Sequence, residues 1–170
     1  TPGNSGGPLV NLDREVLGVV NSGGGDNIAF AISAALVDRV ASAIVEDGEY
    51  DHPFVGVGLV DVTSSVARAN DLERPRGLLV TSVAEGVPAA DVLRGSDDTT
   101  RVDGFRVPTG GDVVLSVGEK TVNSPRELLS YLELNASPGE SVEFTILRDG
   151  EERTVSVELV SREGFQSSGR

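Results

Sequence analysis

Short stretches of apolar residues alternate with turn residues in the first third of the chain. Leu9-Val10, Val16 to Val20 and Ile28 to Ile32 are rich in apolar and β-branched residues, and the segments Asn11 to Arg14 and Asn21 to Asn27 separate them. Short β-rich runs bounded by Gly, Asn and Asp predict strands. The pattern therefore predicts three short strands joined by turns.

The spacing of apolar residues then changes from a strand period to a helical one. Six apolar residues recur three and four positions apart, which predicts an amphipathic helix: Leu36, Val37, Val40, Ala41, Ile44 and Val45. Ser33 is the expected N-cap and Gly48 lies near the expected C-terminal end. The polar segment Glu46 to Pro53 follows, and we place a domain boundary there.

The remainder of the chain predicts a second domain of strands and short helices. Strands are expected at Phe54 to Thr63, Gly77 to Val83, Asp112 to Val122 (a pair) and Ser141 to Val160 (a hairpin turning at Asp149-Gly150), and short helices at Ser64 to Leu72 and Val87 to Gly95. A longer helix begins at Ser124, where Pro125 occupies the first helical position and Glu127 completes a capping box. The fold class is thus mainly β with a few helices.

The charge of the chain excludes some classes of partner. The 170 residues carry a net charge of −13, and Lys120 is the single lysine. Such a surface repels nucleic acid and anionic membranes, so we expect neither as a partner. An acidic, lysine-poor surface indicates a salt-adapted organism. The alternative is a GC-rich genome combined with ordinary solubility.

The composition also argues against a metal site or a cofactor. The chain has no cysteine and one histidine, His52, so it has neither a disulfide framework nor a thiolate zinc site. The carboxylates are scattered and match no calcium-loop motif, and no phosphate-binding loop is present. We therefore expect no metal and no cofactor.

The turn Gly3-Asn4-Ser5-Gly6-Gly7 is the strongest candidate for chemistry. A serine nucleophile needs an accessible hydroxyl and backbone N–H groups that point at the developing oxyanion, and glycines permit such a turn. Gly3-x-Ser5-x-Gly7 also fits the nucleophile elbow of α/β-hydrolases, but that elbow leads from a strand into a helix, and here another strand follows. An ordinary glycine turn is the third interpretation.

"TPGNSGGPLVNLDREVLGV", "IAFAIS", a helix and "HPFVGV" follow one another along the chain. This order resembles HtrA/DegP-type serine proteases, from the C-terminal part of the chymotrypsin-like β-barrel into a PDZ domain. The resemblance implies that Ser5 is the nucleophile and that the N–H groups of Gly3 and Ser5 form the oxyanion hole. It also implies a pocket for small or medium aliphatic side chains, lined by Ile28, Ala29, Phe30 and Ala31.

The catalytic histidine and aspartate are expected upstream of Ser5 in this protease order. Only four residues precede Ser5, so we expect this chain to be a fragment that is inactive alone. His52 is expected to be a linker residue near Pro53, not a catalytic base.

The second domain is expected to bind peptides as PDZ domains do, by adding the peptide as a strand and holding its terminal carboxylate on backbone N–H groups. The resemblance assigns the carboxylate loop to Phe54, Val55, Gly56 and Val57. Val57 to Val62 is then the pairing strand. The helix Pro125 to Leu134 forms the other wall, with Leu128 and Leu132 facing the peptide. The alternative is that Phe54 and these leucines are core residues, which is the interpretation we favour for Leu129.

The expected domain boundaries follow from these assignments. They are a protease-domain fragment (1–48), a linker (49–53), a PDZ domain (54–160) and a disordered tail (161–170). Ser96 to Gly110 departs from the family pattern as an insertion that contains a small hairpin around Asp103-Gly104. We interpret the insertion as a lineage-specific ornament, or else as a cover for the peptide groove or a contact with the protease domain.

The family resemblance implies an endopeptidase of protein quality control. Its PDZ domain would bind unfolded polypeptides or protein C-termini, and the full-length protein would be a homotrimer that works outside the cytoplasm. A stand-alone PDZ module with a vestigial protease segment and a holdase without proteolysis are the alternatives.

Overall fold

The computed structural model describes residues 3–23 and 29–168. The chain divides into two compact units, residues 1–50 (unit 1) and residues 51–170 (unit 2). The division falls inside the segment that the sequence predicts as a linker.

Unit 1 begins with a small antiparallel sheet. Its strands β1 (Pro8–Val10), β2 (Val16–Gly23) and β3 (Ala29–Ser33) lie side by side in chain order. The three predicted strands are confirmed, except that β2 continues to Gly23, into the segment predicted as a turn, and that Ile28 lies outside the described residues. Bulges interrupt both pairings, and the second lies at Asn21, between Val20 and Ser22.

The helix α1 (Ala34–Asp47) follows β3, as predicted. The hydroxyl of Ser33 accepts the N–H of Leu36 at 3.4 Å, which caps the first turn. Gly48 ends the helix at φ 85°, and its N–H donates to the carbonyl of Ile44 at 3.1 Å. Both predicted helix ends are therefore confirmed.

Unit 1 buries little apolar surface by itself. Gly18 is the one buried residue among the described residues of this unit. Large apolar side chains are exposed on its strands, its helix and the turn between β1 and β2: Leu9, Val10, Leu12, Val16, Leu17, Phe30, Ile32, Ile44 and Val45. Folding is driven mainly by removing such side chains from water, so unit 1 contributes little hydrophobic stabilisation of its own.

Unit 2 is built on a six-stranded sheet with the order β12-β11-β9-β6-β5 and β10 paired with β9. The strands are β5 (Val57–Asp61), β6 (Leu78–Val83), β9 (Val113–Val117), β10 (Lys120–Thr121), β11 (Ser141–Arg148) and β12 (Glu151–Glu158). The short helices are α2 (Ser64–Ala69) and α3 (Ala89–Val92). The predicted elements are confirmed, except that the main strand expected from Phe54 begins at Val57 and that α2 and α3 are shorter than expected.

The helix α4 (Pro125–Asn135) begins as predicted, but its capping bonds differ in one respect. The hydroxyl of Ser124 accepts the N–H of Glu127 at 3.3 Å, as a capping box requires. The carboxylate of Glu127 accepts the N–H of Asn123 at 2.7 Å, one residue before the cap. The N-terminal amides are thus satisfied by a shifted version of the predicted motif.

The two faces of the sheet bury separate apolar clusters. Alternate residues of a strand point to opposite faces, so Leu78 and Val80 join one cluster and Leu79 joins the other. The larger cluster includes Leu128 and Leu132 of α4. The smaller one includes residues of α2 and of a hairpin formed by β7 (Asp98–Val102) and β8 (Phe105–Thr109). The helix α4 therefore lies on one face, and the hairpin lies with α2 on the other.

Both predicted Asp-Gly turns are confirmed. Asp149 and Gly150 have φ values of 54° and 80°, and Asp103 and Gly104 have values of 52° and 86°. Two successive residues with positive φ are the signature of a type I′ hairpin turn, which Asp-Gly favours. The second turn closes the hairpin that the sequence predicts inside the insertion.

The ends of unit 2 meet in a small separate sheet. The strand β4 (Pro53–Phe54) pairs with β13 (Val160–Ser161), and the helix α5 (Arg162–Ser168) follows. A disordered tail is predicted from residue 161 onward, so this helix differs from the prediction. Its physical reason is the ring of Phe165, which packs on that of Phe54 at 5.3 Å between centroids.

Within the described part of the chain, no helix is long and apolar enough to cross a membrane. Residues 3–23 and 29–168 contain no group of three or more His, Cys, Asp or Glu side chains arranged to hold a metal ion.

Candidate functional site

The turn around Ser5 is held against strand β2. Gly3 and Gly6 have φ values of 100° and 85°, a region that residues with a Cβ rarely adopt. The N–H of Gly6 donates to the carbonyl of Val20 at 2.8 Å, and the N–H of Val20 donates to the carbonyl of Gly7 at 2.9 Å. The two glycines therefore expose Ser5 on a turn that backbone hydrogen bonds fix in place.

The hydroxyl of Ser5 donates a hydrogen bond to the carbonyl of Asn21 at 3.2 Å. Asn21 is the bulged residue between Val20 and Ser22 in the pairing of β2 with β3, so the bulge supplies the acceptor. Ser5 is exposed, so a rotation about its side-chain bond directs the oxygen elsewhere. Serine is a weak nucleophile until a base takes its proton, and a carbonyl oxygen is not such a base.

The predicted pocket residues belong to β3, which pairs with the other edge of β2. Ala31 lies opposite Val20, and Phe30 lies opposite Ser22. Phe30 and Ala31 are exposed, the backbone of Ala29 continues the strand, and Ile28 lies outside the described residues. The serine turn and the predicted pocket strand therefore flank the same central strand.

His52 belongs to unit 2, where its ring is engaged. Its Nδ1 atom lies 3.0 Å from the nearer carboxylate oxygen of Glu133 on α4. Its backbone carbonyl accepts the N–H of Arg162 at 3.0 Å, and its backbone N–H donates to the carboxylate of Glu163 at 3.3 Å. His52 thus joins the start of unit 2 to α4 and α5.

Strand β5 lies at the edge of the six-stranded sheet and pairs with β6 on one side. An edge strand presents backbone N–H and C=O groups that can pair with an added strand. Gly56 precedes β5 with a φ of 78°, and a Cβ there would lie 2.9 Å from both methyl carbons of Val87. The backbone turn before β5 therefore requires glycine.

The other residues of the predicted carboxylate loop have different surroundings. Val55 is buried in the larger core cluster, and Val57 packs against that cluster from the first position of β5. Phe54 is half-buried, and its ring contacts Phe165 and lies 5.9 Å from the guanidinium of Arg162. The ring of Phe54 is therefore covered by α5, which the sequence analysis did not foresee.

The burial of the leucines on α4 differs from the prediction. Leu128 and Leu132 are 2% and 1% exposed and belong to the larger core cluster. Leu129 is 44% exposed, so the prediction of a core position for Leu129 is wrong. Residues four apart share a helix face, and residue 129 follows 128 by about 100°, which turns its side chain outward.

Two interactions in unit 2 were not predicted from the sequence. Asp112 is buried and paired with Arg148, and Phe165 packs on Phe54. The first joins residues 36 positions apart, and nothing in the local pattern signals it. The second has a weak signal, since Phe165 is a large apolar residue in a polar terminal stretch.

Two ionisable groups have clearly shifted pKa values. Burial acts to raise the pKa of Glu163, but backbone N–H groups of Glu163 and His52 donate to it and nearby positive charge adds to their effect, so the pKa is lowered. The hydrogen bond to Asp112 raises the pKa of Arg148.

The family comparisons agree with the division of the chain. A family model described as PDZ domain matches residues 53–159, and one described as trypsin matches residues 1–44. Through the larger match, the chain belongs to the PDZ domain family. The order of the two matches makes it similar to HtrA/DegP-type serine proteases, over the C-terminal part of the protease domain and one PDZ domain.

Individual relatives match this chain over most of its length. The protein of Halomonas elongata (strain ATCC 33173 / DSM 2581 / NBRC 15536 / NCIMB 2198 / 1H9) named "Probable periplasmic serine endoprotease DegP-like" is 36% identical over 161 residues, 92% of this chain and 31% of that protein. "Serine protease Do-like HtrA" of Bacillus subtilis (strain 168) is 30% identical over 166 residues, 95% of this chain and 35% of that protein. The chain thus spans about a third of these curated relatives.

A solved structure described as "HtrA-type protease AlgW with decapeptide" has the same fold. It superposes with a TM-score of 0.67 at 26% identity, over 95% of this chain and 47% of that one. The version with a tripeptide gives a TM-score of 0.65, also at 26% identity and 95% coverage of this chain and 50% of that chain. The mainly β fold with a trypsin-like segment and a PDZ domain is therefore confirmed.

Proposed function

We propose that this chain is part of an HtrA-type serine endopeptidase that degrades misfolded proteins and whose PDZ domain binds substrate C-termini. The observation that carries the proposal is the exposed Ser5 between two positive-φ glycines, on a turn fixed to β2. The relatives named as serine endoproteases support it.

In this proposal the Ser5 oxygen attacks the scissile carbonyl carbon, the peptide C–N bond breaks, and the amine leaves with the proton that the serine gave up. The acyl-enzyme that remains is hydrolysed by water, which releases the acid and restores the serine hydroxyl. The N–H groups of Gly3 and Ser5 bind the oxyanion, because its negative charge develops where they point. A histidine outside this chain takes the serine proton, and an aspartate outside this chain orients that histidine and stabilises its charged form. His52 does not replace the histidine, because Glu133 engages its ring.

The primary pocket is proposed to be lined by Ile28, Ala29, Phe30 and Ala31. The position of β3 beside the strand that holds the Ser5 turn supports this assignment. The resemblance to the family implies that this pocket accepts small or medium aliphatic substrate side chains.

Peptide binding is proposed at the edge of β5. The loop of Phe54, Val55, Gly56 and Val57 receives the terminal carboxylate, and the peptide adds a strand to β5. The edge position of β5 and the required glycine at position 56 support this arrangement. Leu128 and Leu132 are proposed to line this groove. Both are buried, so they contact the peptide only if α4 moves away from β5.

Labelling with a fluorophosphonate tests the nucleophile in the intact protein isolated from its source cells. We expect label on Ser5, in a species whose mass exceeds the 17.7 kDa of this chain. A Ser5→Ala variant of the same protein is the control and should remain unlabelled. Absence of label from the wild type, or label at another residue, would contradict the proposal.

Binding of matched peptides tests the groove separately. A peptide with a free C-terminal carboxylate and the same peptide with a C-terminal amide are titrated against the chain, and the free carboxylate is expected to bind at least tenfold more tightly. Equal binding would argue against a carboxylate loop at residues 54–57.

A stand-alone peptide-binding module is the second candidate function. The burial pattern favours it, because unit 2 has two buried apolar clusters whereas unit 1 buries one glycine among its described residues. Under this alternative, peptides bind normally and no serine is labelled.

The remaining assignments concern the intact protein. We propose an extracytoplasmic location, supported by the periplasmic names of the relatives, together with a homotrimeric assembly and no nucleic-acid partner. The acidic, lysine-poor composition supports adaptation to salt. Gel filtration of the intact protein and its thermal stability at rising salt concentration test the assembly and the adaptation.

A further inference from the structure

The hairpin β7–β8 is a firmly anchored projection of unit 2. Val107 is buried in the cluster beneath it, and Asp103 at its turn pairs with Arg68 of α2. The side-chain amide of Asn70 donates to the carbonyl of Pro108 at 3.1 Å. These contacts hold the hairpin to α2, on the face of the sheet that does not carry α4.

Two arginines lie directly opposite each other on this hairpin. Arg101 and Arg106 are cross-strand partners on the face opposite to Val107, and both are exposed. Neither forms an ion pair with any described residue. Like charges directly opposite on a hairpin are destabilising, so the pair costs stability in the free chain. An anionic partner would remove that cost.

The hairpin end also exposes an aromatic side chain. Phe105 is 75% exposed beside the turn, in a chain with only five phenylalanines. Phe105 belongs to the same strand face as Val107, so the hairpin end exposes an aromatic ring on one face and two guanidinium groups on the other. Aromatic side chains and arginine are both enriched at protein interfaces.

A cleft with the opposite character opens at the base of the same hairpin. Its volume is about 1050 Å³, comparable to the larger ligand-binding pockets of proteins. Leu72 and Leu147 contribute partly buried apolar surface. Acidic residues outnumber basic ones along its walls: Asp71, Glu73, Asp97, Asp98, Asp149 and Glu152, against Arg74 and Arg76.

We propose that the end of the β7–β8 hairpin of one copy of this chain docks in the acidic cleft of a second copy. Arg101 and Arg106 then meet the carboxylates of the cleft, and Phe105 covers its apolar surface. Charge complementarity selects this occupant. The cationic hairpin end and the acidic cleft are separate surfaces of unit 2, so every copy of the chain carries both. Such a contact is heterologous, so it extends into rings or open chains.

The net charge sets the conditions under which the contact forms. Each copy carries −13, so two copies repel one another at long range. Moderate salt screens this repulsion beyond about 8 Å, whereas the partly desolvated contact pairs are screened less. We therefore expect association to be strongest at moderate ionic strength and weaker in both very low and very high salt.

Sedimentation velocity of three variants of this 170-residue chain tests the proposal in 0.15 M salt. The hairpin variant carries Arg101→Gln, Phe105→Ser and Arg106→Gln, and the cleft variant carries Asp71→Asn, Glu73→Gln and Asp98→Asn. The matched control carries Lys120→Gln and Arg126→Gln, which remove the same charge as the hairpin variant from exposed positions elsewhere in unit 2.

The wild type and the control are expected to associate with rising concentration, and the hairpin and cleft variants at least tenfold more weakly. Mixing those two variants pairs an intact hairpin with an intact cleft, so association should return but stop at a dimer. Near-ultraviolet circular dichroism confirms that each variant is folded.

Three results would overturn the proposal. One is a monomeric wild type that binds a synthetic Arg-Phe-Arg peptide in the cleft, because the occupant would then be a foreign cationic segment. Another is undiminished association of both variants, because the contact would then lie elsewhere, such as on the exposed apolar residues of unit 1. The third is weaker association that mixing does not restore.

Discussion

Arg148 donates two parallel hydrogen bonds of 2.7 Å to the buried carboxylate of Asp112. Asp112 is 1% exposed, and its carboxylate also accepts the N–H of Arg94 at 2.8 Å. The same guanidinium donates to the carbonyl of Val92 at 2.7 Å. One ion pair thus joins the end of β11 to both chain segments that flank the inserted hairpin.

We expect Asp112→Ala to destabilise unit 2 by about 3 kcal/mol or more, because removing one partner of a buried ion pair leaves the other charge uncompensated. Urea unfolding, monitored by circular dichroism, measures the loss. Glu152→Ala is the matched control, since it breaks the exposed Arg76–Glu152 pair, which is worth about 1 kcal/mol or less. Equal losses for the two variants would show that burial does not decide the contribution.

The corrected positions on α4 lead to a second prediction. Leu132→Ala should cost about 2–5 kcal/mol, because it opens a cavity in the larger core cluster. Leu129→Ala on the same helix should cost well under 1 kcal/mol, because Leu129 is half-exposed and alanine favours helices. Thermal unfolding of both variants gives the comparison, and the reverse order would restore the original assignment of Leu129 to the core.

A third prediction separates the two reasons for glycine at position 56. Gly56→Ala combines a strained φ of 78° with a Cβ 2.9 Å from Val87, whereas Gly86→Ala has nearly the same φ, 79°, and nothing within 4 Å. Both should lose about 1–2 kcal/mol from strain, and Gly56→Ala about 1–3 kcal/mol more from crowding. Denaturant unfolding measures both losses, and similar values would mean that Val87 adapts without cost.

Peptide affinity provides a second measurement on the same pair of variants. Gly56→Ala should weaken binding of a free-carboxylate peptide, because the proposed carboxylate loop is displaced, while Gly86→Ala should leave the affinity unchanged. Weakening by both variants would indicate a general loss of structure.

The lowered pKa of Glu163 predicts an acid-sensitive contact at the end of the chain. Its carboxylate is stabilised in the folded state, so this stabilisation is present above the unfolded pKa of about 4.5 and is lost as pH falls through the folded value. The protection factor of the His52 amide, which donates to Glu163, should therefore fall in that acidic range. Glu163→Gln should remove most of this pH dependence, and an unchanged profile in that variant would exclude Glu163 as its cause.

Local patterns in the sequence predicted the elements well but not the surroundings of their side chains. The cap at Ser33 and the turns at Asp103-Gly104 and Asp149-Gly150 depend on neighbouring residues, so the sequence is sufficient for them. The exposure of Leu129 depends on the rotation of α4 about its axis, which packing decides. The contact of Phe165 with Phe54 joins residues more than a hundred positions apart, beyond any local pattern.

The same distinction applies to the candidate site. The Ser5 turn was predicted because its glycines and serine are consecutive, whereas the bulge at Asn21 that accepts the serine hydroxyl arises from strand register. The faces of the central sheet also follow from pairing, so the sequence left open whether the insertion covers the peptide groove. The hairpin packs with α2 on the face opposite α4, so it does not cover the side of β5 on which α4 lies.

The contrast between the two units leads to the last prediction, which concerns hydrogen exchange of the isolated chain. Exchange protection depends on how costly it is to open the structure, and buried apolar contacts set much of that cost. Unit 1 has exposed strands and a helix without a buried residue, whereas both faces of the unit 2 sheet are covered by buried clusters. Amides of residues 1–45 should therefore exchange faster than those of residues 54–160, as measured by mass spectrometry of peptic fragments. Equal protection would show that unit 1 is stable without a partner. Leu78→Ala is the control, since it removes a fully buried side chain from unit 2 and should raise exchange there while leaving residues 1–45 unchanged.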